Sequence, residues 1–308
     1  MARYILQRLV YMVITMFLIA TFTFFLMKFL PGTPLSAADK LSEEQQQVVL
    51  EKYGLDDPVP VQYFNYMVNL TQGDLGISFQ FDNREVTTIM MERVGPSMQL
   101  GVQAMIIGTI FGMLLGIISA IYHNGFMDYL STFIAVIGKS IPSFVFAGIL
   151  QYYIGVKLGW FPVALWGSWE YTVLPTVALA IFPIAIAARF MRTEMLEVMS
   201  SDYITTARAK GVNKFGVVLK HGVRNALIPL ITVLGPLAVS LITGTLVIEN
   251  IFAVPGIGEQ FVKAINTNDF PIIMGTTLLI SFLFIVIILI IDLLYGIIDP
   301  RIRLAEGK

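Results

Sequence analysis

At 308 residues, with 56% hydrophobic and 13% charged side chains, the chain is too apolar for a water-soluble domain and reads as an integral membrane protein. The net charge of −1 conceals a strong segregation of signs along the chain, which carries more information than the sum. The absence of cysteine excludes disulfides, thiolate metal sites and thiol catalysis, and the two histidines, His123 and His221, both expected in loops, are too few for a histidine-built metal centre.

The first apolar run, residues 9–30, is long enough to cross a bilayer, and no small-residue cleavage site follows it. Arg3 and Arg8 precede it, so the positive-inside bias places the N-terminus in the cytoplasm and makes this an uncleaved signal anchor. Lys28, near its outer end, is expected to snorkel to the interface. Residues 31–97 form a polar insertion with ten acidic and four basic side chains, a balance that suits the outer face. Within it the pattern predicts short helices over 43–53 and 61–70, the second ending before Gly73. Six aromatic residues, among them Tyr63, Tyr66 and Phe81, call for a folded cap in which to pack.

The second span, 98–122, carries Gly108, Gly112 and Gly116 at four-residue spacing, a face along which backbones can meet, either within this chain or between subunits. The third, 129–153, contains Gly138-Lys139-Ser140-Ile141-Pro142. Its Gly-Lys-Ser is not the end of a phosphate-binding loop, because Phe133 stands where that motif needs glycine. On a continuous helix Lys139 lies about 15 Å deep at 1.5 Å per residue. Facing lipid there would cost at least about 2.5 to 3.5 kcal/mol, so Lys139 would line protein or a water-filled path. If Pro142 instead kinks or restarts the helix, Lys139 sits nearer the cytoplasmic interface. Trp160, Trp166 and Trp169 then mark the outer interface, and the fourth span, 173–191, is interrupted by Pro175 and Pro183.

Residues 189–229 form a basic interval with seven Lys and Arg residues against Glu194, Glu197 and Asp202, which the charge bias assigns to the cytoplasm. Within it, Ser201 or Asp202 can cap a short helix that Gly211 ends by tolerating the left-handed conformation. Tyr203, Ala207 and Gly211 fall at i, i+4 and i+8, a small face able to approach another surface closely, with Arg208 and Lys210 beside it. Its large apolar side chains are too few for a lipid-surface helix, so a protein groove is the preferred partner. The fifth span is 227–248 and the last 272–298, with Asp292 near its inner end. The outer loop 249–271 contains Pro255-Gly256-Ile257-Gly258, a tight turn rather than half a dinucleotide fingerprint. Six spans therefore leave both chain ends in the cytoplasm.

No catalytic motif and no pair of membrane aspartates is present, and only Lys139 and Asp292 could serve ion coupling. A self-powered, ion-coupled secondary transporter is the alternative from a different class. What remains is a pathway former with a docking helix and no nucleotide-binding sequence of its own. The stretch Asp202-Tyr203-Ile204-Thr205-Thr206-Ala207-Arg208-Ala209-Lys210-Gly211, followed by Arg224-Asn225-Ala226-Leu227-Ile228-Pro229, resembles the EAA-type cytoplasmic loop of ABC importer permeases. Within that group it looks most like the B-type permease of dipeptide and oligopeptide importers. The stretches around Gly73-Asp74-Leu75-Gly76, Glu249-Asn250-Ile251-Phe252 and Asp299-Pro300-Arg301 extend the resemblance over essentially the whole chain. Thr205 stands where the general pattern has glutamate, and the interval from Gly211 to Pro229 is longer than in that pattern; both look typical of the peptide branch.

The resemblance implies an all-α polytopic membrane protein with the type I ABC importer permease fold. Its parts would be 1–97, a first helix plus extracytoplasmic cap; 98–298, the permease core with coupling loop 192–226; and a cytoplasmic tail, 299–308. It implies no cofactor in this chain, with ATP and Mg bound by two partner ATPase subunits, and Asp202 to Gly211 seated in a groove of one of them. The other expected partners are a second, homologous permease in a heterodimer, an external peptide-binding protein and the lipids of a bacterial inner membrane; nucleic acid is not among them. Lys139 and Pro142 are candidates for lining the path. Nickel, or a small modified peptide such as glutathione, is the alternative substrate.

Overall fold

The computed structural model of the chain describes residues 2–29, 50 and 54–298, with side chains at 6–29, 50 and 54–291. The helix expected over 43–53 therefore lies, apart from Leu50, outside the described residues, as do the tail 299–308 and the side chain of Asp292. Among the described residues the chain is helical, with one isolated bridge between Ile77 and Glu85. In order the helices are α1 (Ala2–Phe29), α2 (Val59–Thr71), α3 (Val86–Ile121), α4 (Phe126–Ser140), α5 (Ser143–Lys157), α6 (Glu170–Met199), α7 (Asp202–Ala209), α8 (Lys214–Ile242), α9 (Leu246–Ile251), α10 (Ile257–Asn266) and α11 (Phe270–Ile298).

Five of these are long and apolar enough to cross a membrane, and α4 with α5 makes a sixth candidate that is bent by 104°. The third span is thus not a continuous helix: Ile141 and Pro142 separate two helices, and Pro142 (φ −56°, ψ 135°) sits outside α5 as its first cap. The interval 189–229 is also less of a loop than expected. Helix α6 runs on to Met199 and α8 begins at Lys214, so only residues 200–213 join them, and His221 lies in a helical turn rather than a loop. The segment 249–271 likewise folds into α9 and α10, and the Pro255–Gly258 stretch forms the start of α10.

Two compact units form. The first comprises Met1–Gly95 and Pro255–Val286. Here the insertion's aromatic residues find their packing on α1: Tyr63 and Tyr66 lie 5.4 and 5.5 Å from the Phe24 ring, and the Tyr63 hydroxyl meets Thr21 Oγ1 at 2.7 Å. Lys28 does not simply reach for the interface; its ammonium donates to Gln62 Oε1 on α2. The Asp269 carboxylate, fully buried, accepts from the Ser78 hydroxyl and from the backbone N–H of Gln80 at 3.2 Å. It thereby ties the loop before α3 to the start of α11, and no charge of that kind is tolerated inside a protein without such donors.

The second unit comprises Pro96–Val254 and the segment from Ile287 onward. Its centre is α6, whose alanines let neighbouring helices approach. The glycine stripe of α3 packs against it: a side chain at Gly108, Gly112 or Gly116 would place its Cβ 2.6, 2.5 and 2.6 Å from Pro183, Ala187 and Met191. The stripe is therefore used within this chain. Gly112→Val is expected to force α3 from α6 and to destabilise the unit by about 1 to 3 kcal/mol, the usual cost of overpacking. Thermal unfolding of the purified chain measures this, with Gly148→Ala, where nothing lies within 4 Å, as the neutral comparison.

Candidate functional site

The short helix between α6 and α8 is fixed by local chemistry at both ends. Ser201 (φ −75°, ψ 154°) holds the extended conformation of a helix cap, but its hydroxyl donates back to the Val198 carbonyl at 2.6 Å and does not cap α7. Asp202 in the first turn supplies the negative charge that favours a helix start. At the other end Gly211 takes φ +81°, the Gly211 N–H bonds the Arg208 carbonyl at 3.0 Å, and the Val212 N–H bonds Ala207 O at 3.2 Å. That pair of bonds is the Schellman termination, which requires the left-handed residue that glycine supplies. Two residues later the Asn213 side chain accepts the Gly216 N–H at 2.7 Å and starts α8.

Helix α7 is also held from beneath. Ile204 and Ala207 are buried and pack with Val217, and Val198 and Met199 flank the cluster. The close approach that Ala207 permits is thus made to the chain's own helices, and Ala207 is not on the surface that a partner can reach. Tyr203, Asp202, Thr205, Arg208, Ala209, Lys210 and Gly211 are exposed. Asn225 Nδ2 donates to the Tyr203 hydroxyl at 3.2 Å and to the His221 carbonyl at 2.7 Å, so α8 also tethers the exposed face. A rigid polar knob with Arg208 and Lys210 at its end results.

A second fixed point lies at the base of α6. Arg192 donates to both oxygens of buried Asp128, from Nε at 2.7 Å and Nη2 at 2.9 Å. The same carboxylate accepts from the Ser119 hydroxyl and from the Asn124 N–H at 2.9 Å, with His123 Nδ1 3.2 Å away. One carboxylate thereby joins the end of α3, the start of α4 and α6. In the sequence Arg192 is one positive charge among the seven of the 189–229 interval and Asp128 is an isolated acidic residue. Nothing in the local pattern pairs residues that far apart in the chain.

Lys139 and Pro142 lie at the break between α4 and α5, and both are exposed in this chain. Gly138, next to Lys139, packs on α6, where a Cβ would come within 3.0 Å of the Ile181 carbonyl. The Gly-Lys-Ser stretch forms the last turn of α4, the opposite end of a helix from the one that a phosphate-binding loop uses.

Residues 112–304 match the model of the binding-protein-dependent transport system inner membrane component, and residues 1–100 match that of the N-terminal membrane component of the same systems. The chain is 47% identical over 304 residues to the dipeptide transport system permease protein DppB of Lactococcus lactis subsp. cremoris, covering 99% of this chain and all of the relative. It is 46% identical to DppB of Bacillus subtilis, covering 99% of each. Among solved structures, an inward-facing MetNI methionine ABC transporter chain aligns at a TM-score of 0.57 and 16% identity, covering 68% of this chain and 96% of that one, a likeness of fold.

Proposed function

Since the chain belongs to the binding-protein-dependent transport inner membrane component family, we propose that it is the permease subunit of an ATP-driven importer, forms half of a path for peptides, and docks through α7 on a separate ATPase. The observation that carries the docking is the build of α7: it is short, bounded by its own caps, seated on Ile204 and Ala207, and exposed along Tyr203, Thr205 and Arg208. A helix fixed in this way transmits displacement instead of absorbing it. Closure of the ATPase pair would pull on α7, and through it on α6 and α8, as a rigid-body switch. Peptide is the substrate because full-length relatives named for dipeptide transport share almost half of its residues.

On this reading the second permease completes the path, an external binding protein delivers peptide, and the chain ends and the 200–213 segment lie in the cytoplasm, where the basic residues concentrate. Because the third span breaks at Pro142, Lys139 sits nearer the cytoplasmic interface, and on this reading it and Pro142 line the path at its inner end.

The chain's lack of cysteine provides the test, since a single introduced thiol has no background within it. Thr205→Cys in the assembled transporter is expected to cross-link to a cysteine in the ATPase groove, and a solvent-exposed, unreactive position 205 would overturn the docking. Uptake of labelled dipeptide with the cognate partners is expected to require ATP and to survive a protonophore; collapse with the proton gradient would instead favour the ion-coupled carrier. Nickel or glutathione taken up in place of dipeptide would overturn the substrate.

A further inference from the structure

The unit of Met1–Gly95 and Pro255–Val286 forms an open cavity of about 400 Å³ between the end of α1, α2, the loop before α3 and the start of α11. That is the size of a small-ligand pocket, typically about 300 to 1,000 Å³. Its floor is apolar, drawn from Phe24, Leu75, Ile77, Phe79 and Met274. Its polar groups are of four kinds. Gln62, Asn65 and Asn69 stand at i, i+3 and i+7 of α2; Gln62 is already engaged by Lys28 and by the Leu55 and Asp57 carbonyls, which leaves Asn65 and Asn69 as the two carboxamides offered to a ligand. Lys28 supplies a cation, and Asp57 and Asp74 supply anions. Tyr66 lines the same cavity, and its buried hydroxyl has no hydrogen-bond partner among the described residues. Burial, and after it the neighbouring Tyr63, pushes the Tyr66 phenol up to about 12, so it stays a neutral donor.

These groups select a ligand. A pocket with one cation and two anions matches neither a simple anion nor a simple cation, and it lacks the arginine fork that fits phosphate. Carboxamides carry the same donor and acceptor as a peptide group, so a row of them pairs with a ligand that has amides of its own. We propose that this cavity binds a short peptide with free termini, its carboxylate toward Lys28, its ammonium toward Asp57 and Asp74, and its amide along Asn65 and Asn69. The inference rests on the reading of the chain as a peptide permease and adds to it a binding station on the insertion.

The test uses the full chain in phosphatidylcholine nanodiscs, with dialanine as the probe and saturation-transfer NMR as the readout. Dialanine is expected to bind, and N-acetyl-dialaninamide, which has the same side chains without the charged termini, is expected to bind at least about tenfold more weakly. Asn65→Leu with Asn69→Leu, both on the exposed face of α2, is expected to weaken dialanine to a similar degree. Equal binding of the free and blocked peptides, or of the wild type and the double variant, would overturn the proposal. Loss of dialanine binding when phosphatidylethanolamine replaces phosphatidylcholine would assign the cavity to a lipid headgroup instead. If the assembled transporter takes up dipeptide while the cavity binds none, the cavity inference falls alone. If the assembly takes up no peptide, the reading beneath it falls too.

Discussion

In the Gly211→Val variant, the transporter is expected to assemble and hydrolyse ATP while dipeptide uptake falls by about tenfold or more. Gly211 adopts φ +81°, and nothing lies within 4 Å of where its Cβ would be, so the effect comes from the backbone and not from a clash. A side chain in the left-handed region costs roughly 1 to 2 kcal/mol, more when branched at Cβ, and the chain escapes by leaving that conformation. Leaving it gives up the bonds to Arg208 O and Ala207 O that end α7, so the helix no longer holds one pose. If 1 to 2 kcal/mol shifts the pose, the competent population drops by roughly five- to thirtyfold, which sets the expected loss. Gly211→Asn, which tolerates the same backbone, is expected to retain most uptake. Parallel ATPase and uptake assays in proteoliposomes check both variants; wild-type uptake with valine would remove α7 from the coupling path.

The second large effect belongs to Arg192. Replacing it with methionine keeps much of the side-chain volume but strips the buried Asp128 carboxylate of two charged donors. Removing one member of a buried pair costs about 3 to 5 kcal/mol; because Arg192 is itself partly exposed, the lower end of that range applies here, about 3 kcal/mol. The double change Arg192→Met with Asp128→Asn removes the stranded charge and is expected to recover most of the loss. Thermal unfolding of the two single variants and the double variant measures the coupling. A strictly additive result would mean that the carboxylate does not depend on Arg192.

How much of this was legible beforehand follows from the range of each interaction. Apolar runs and the distribution of Lys and Arg located the spans, because burial in a bilayer leaves its mark on every local window. Asp202 and Gly211 bounded α7 for the same reason: helix ends are decided by neighbours a few residues away. The glycine stripe of α3 announced a close contact but not its partner. That Ala207 faces its own chain depends on Val217 and Met199, which only the fold brings beneath it. Asp128 with Arg192, and Ser78 with Asp269, are joined across long stretches of chain that carry no periodic signal. The outward extensions of α6 and α8 were hidden because a helix that leaves the membrane turns polar, and polarity alone resembles a loop.

The 104° elbow in the third span has a further consequence for where this protein can live. Around it the helical ladder is interrupted: the Ile141 N–H still reaches Ile137 O and the N–H groups of Val145 and Phe146 share Pro142 O, but Pro142 itself has no N–H to give. The last carbonyls of one helix and the first amides of the next have no partners along their own axes. Hydrocarbon is the wrong solvent for such groups, so the break at residues 139–144 needs water or a neighbouring protein surface. On the proposed reading, a copy inserted without its counterpart carries a wet seam into the bilayer, and the second permease is what would cover it.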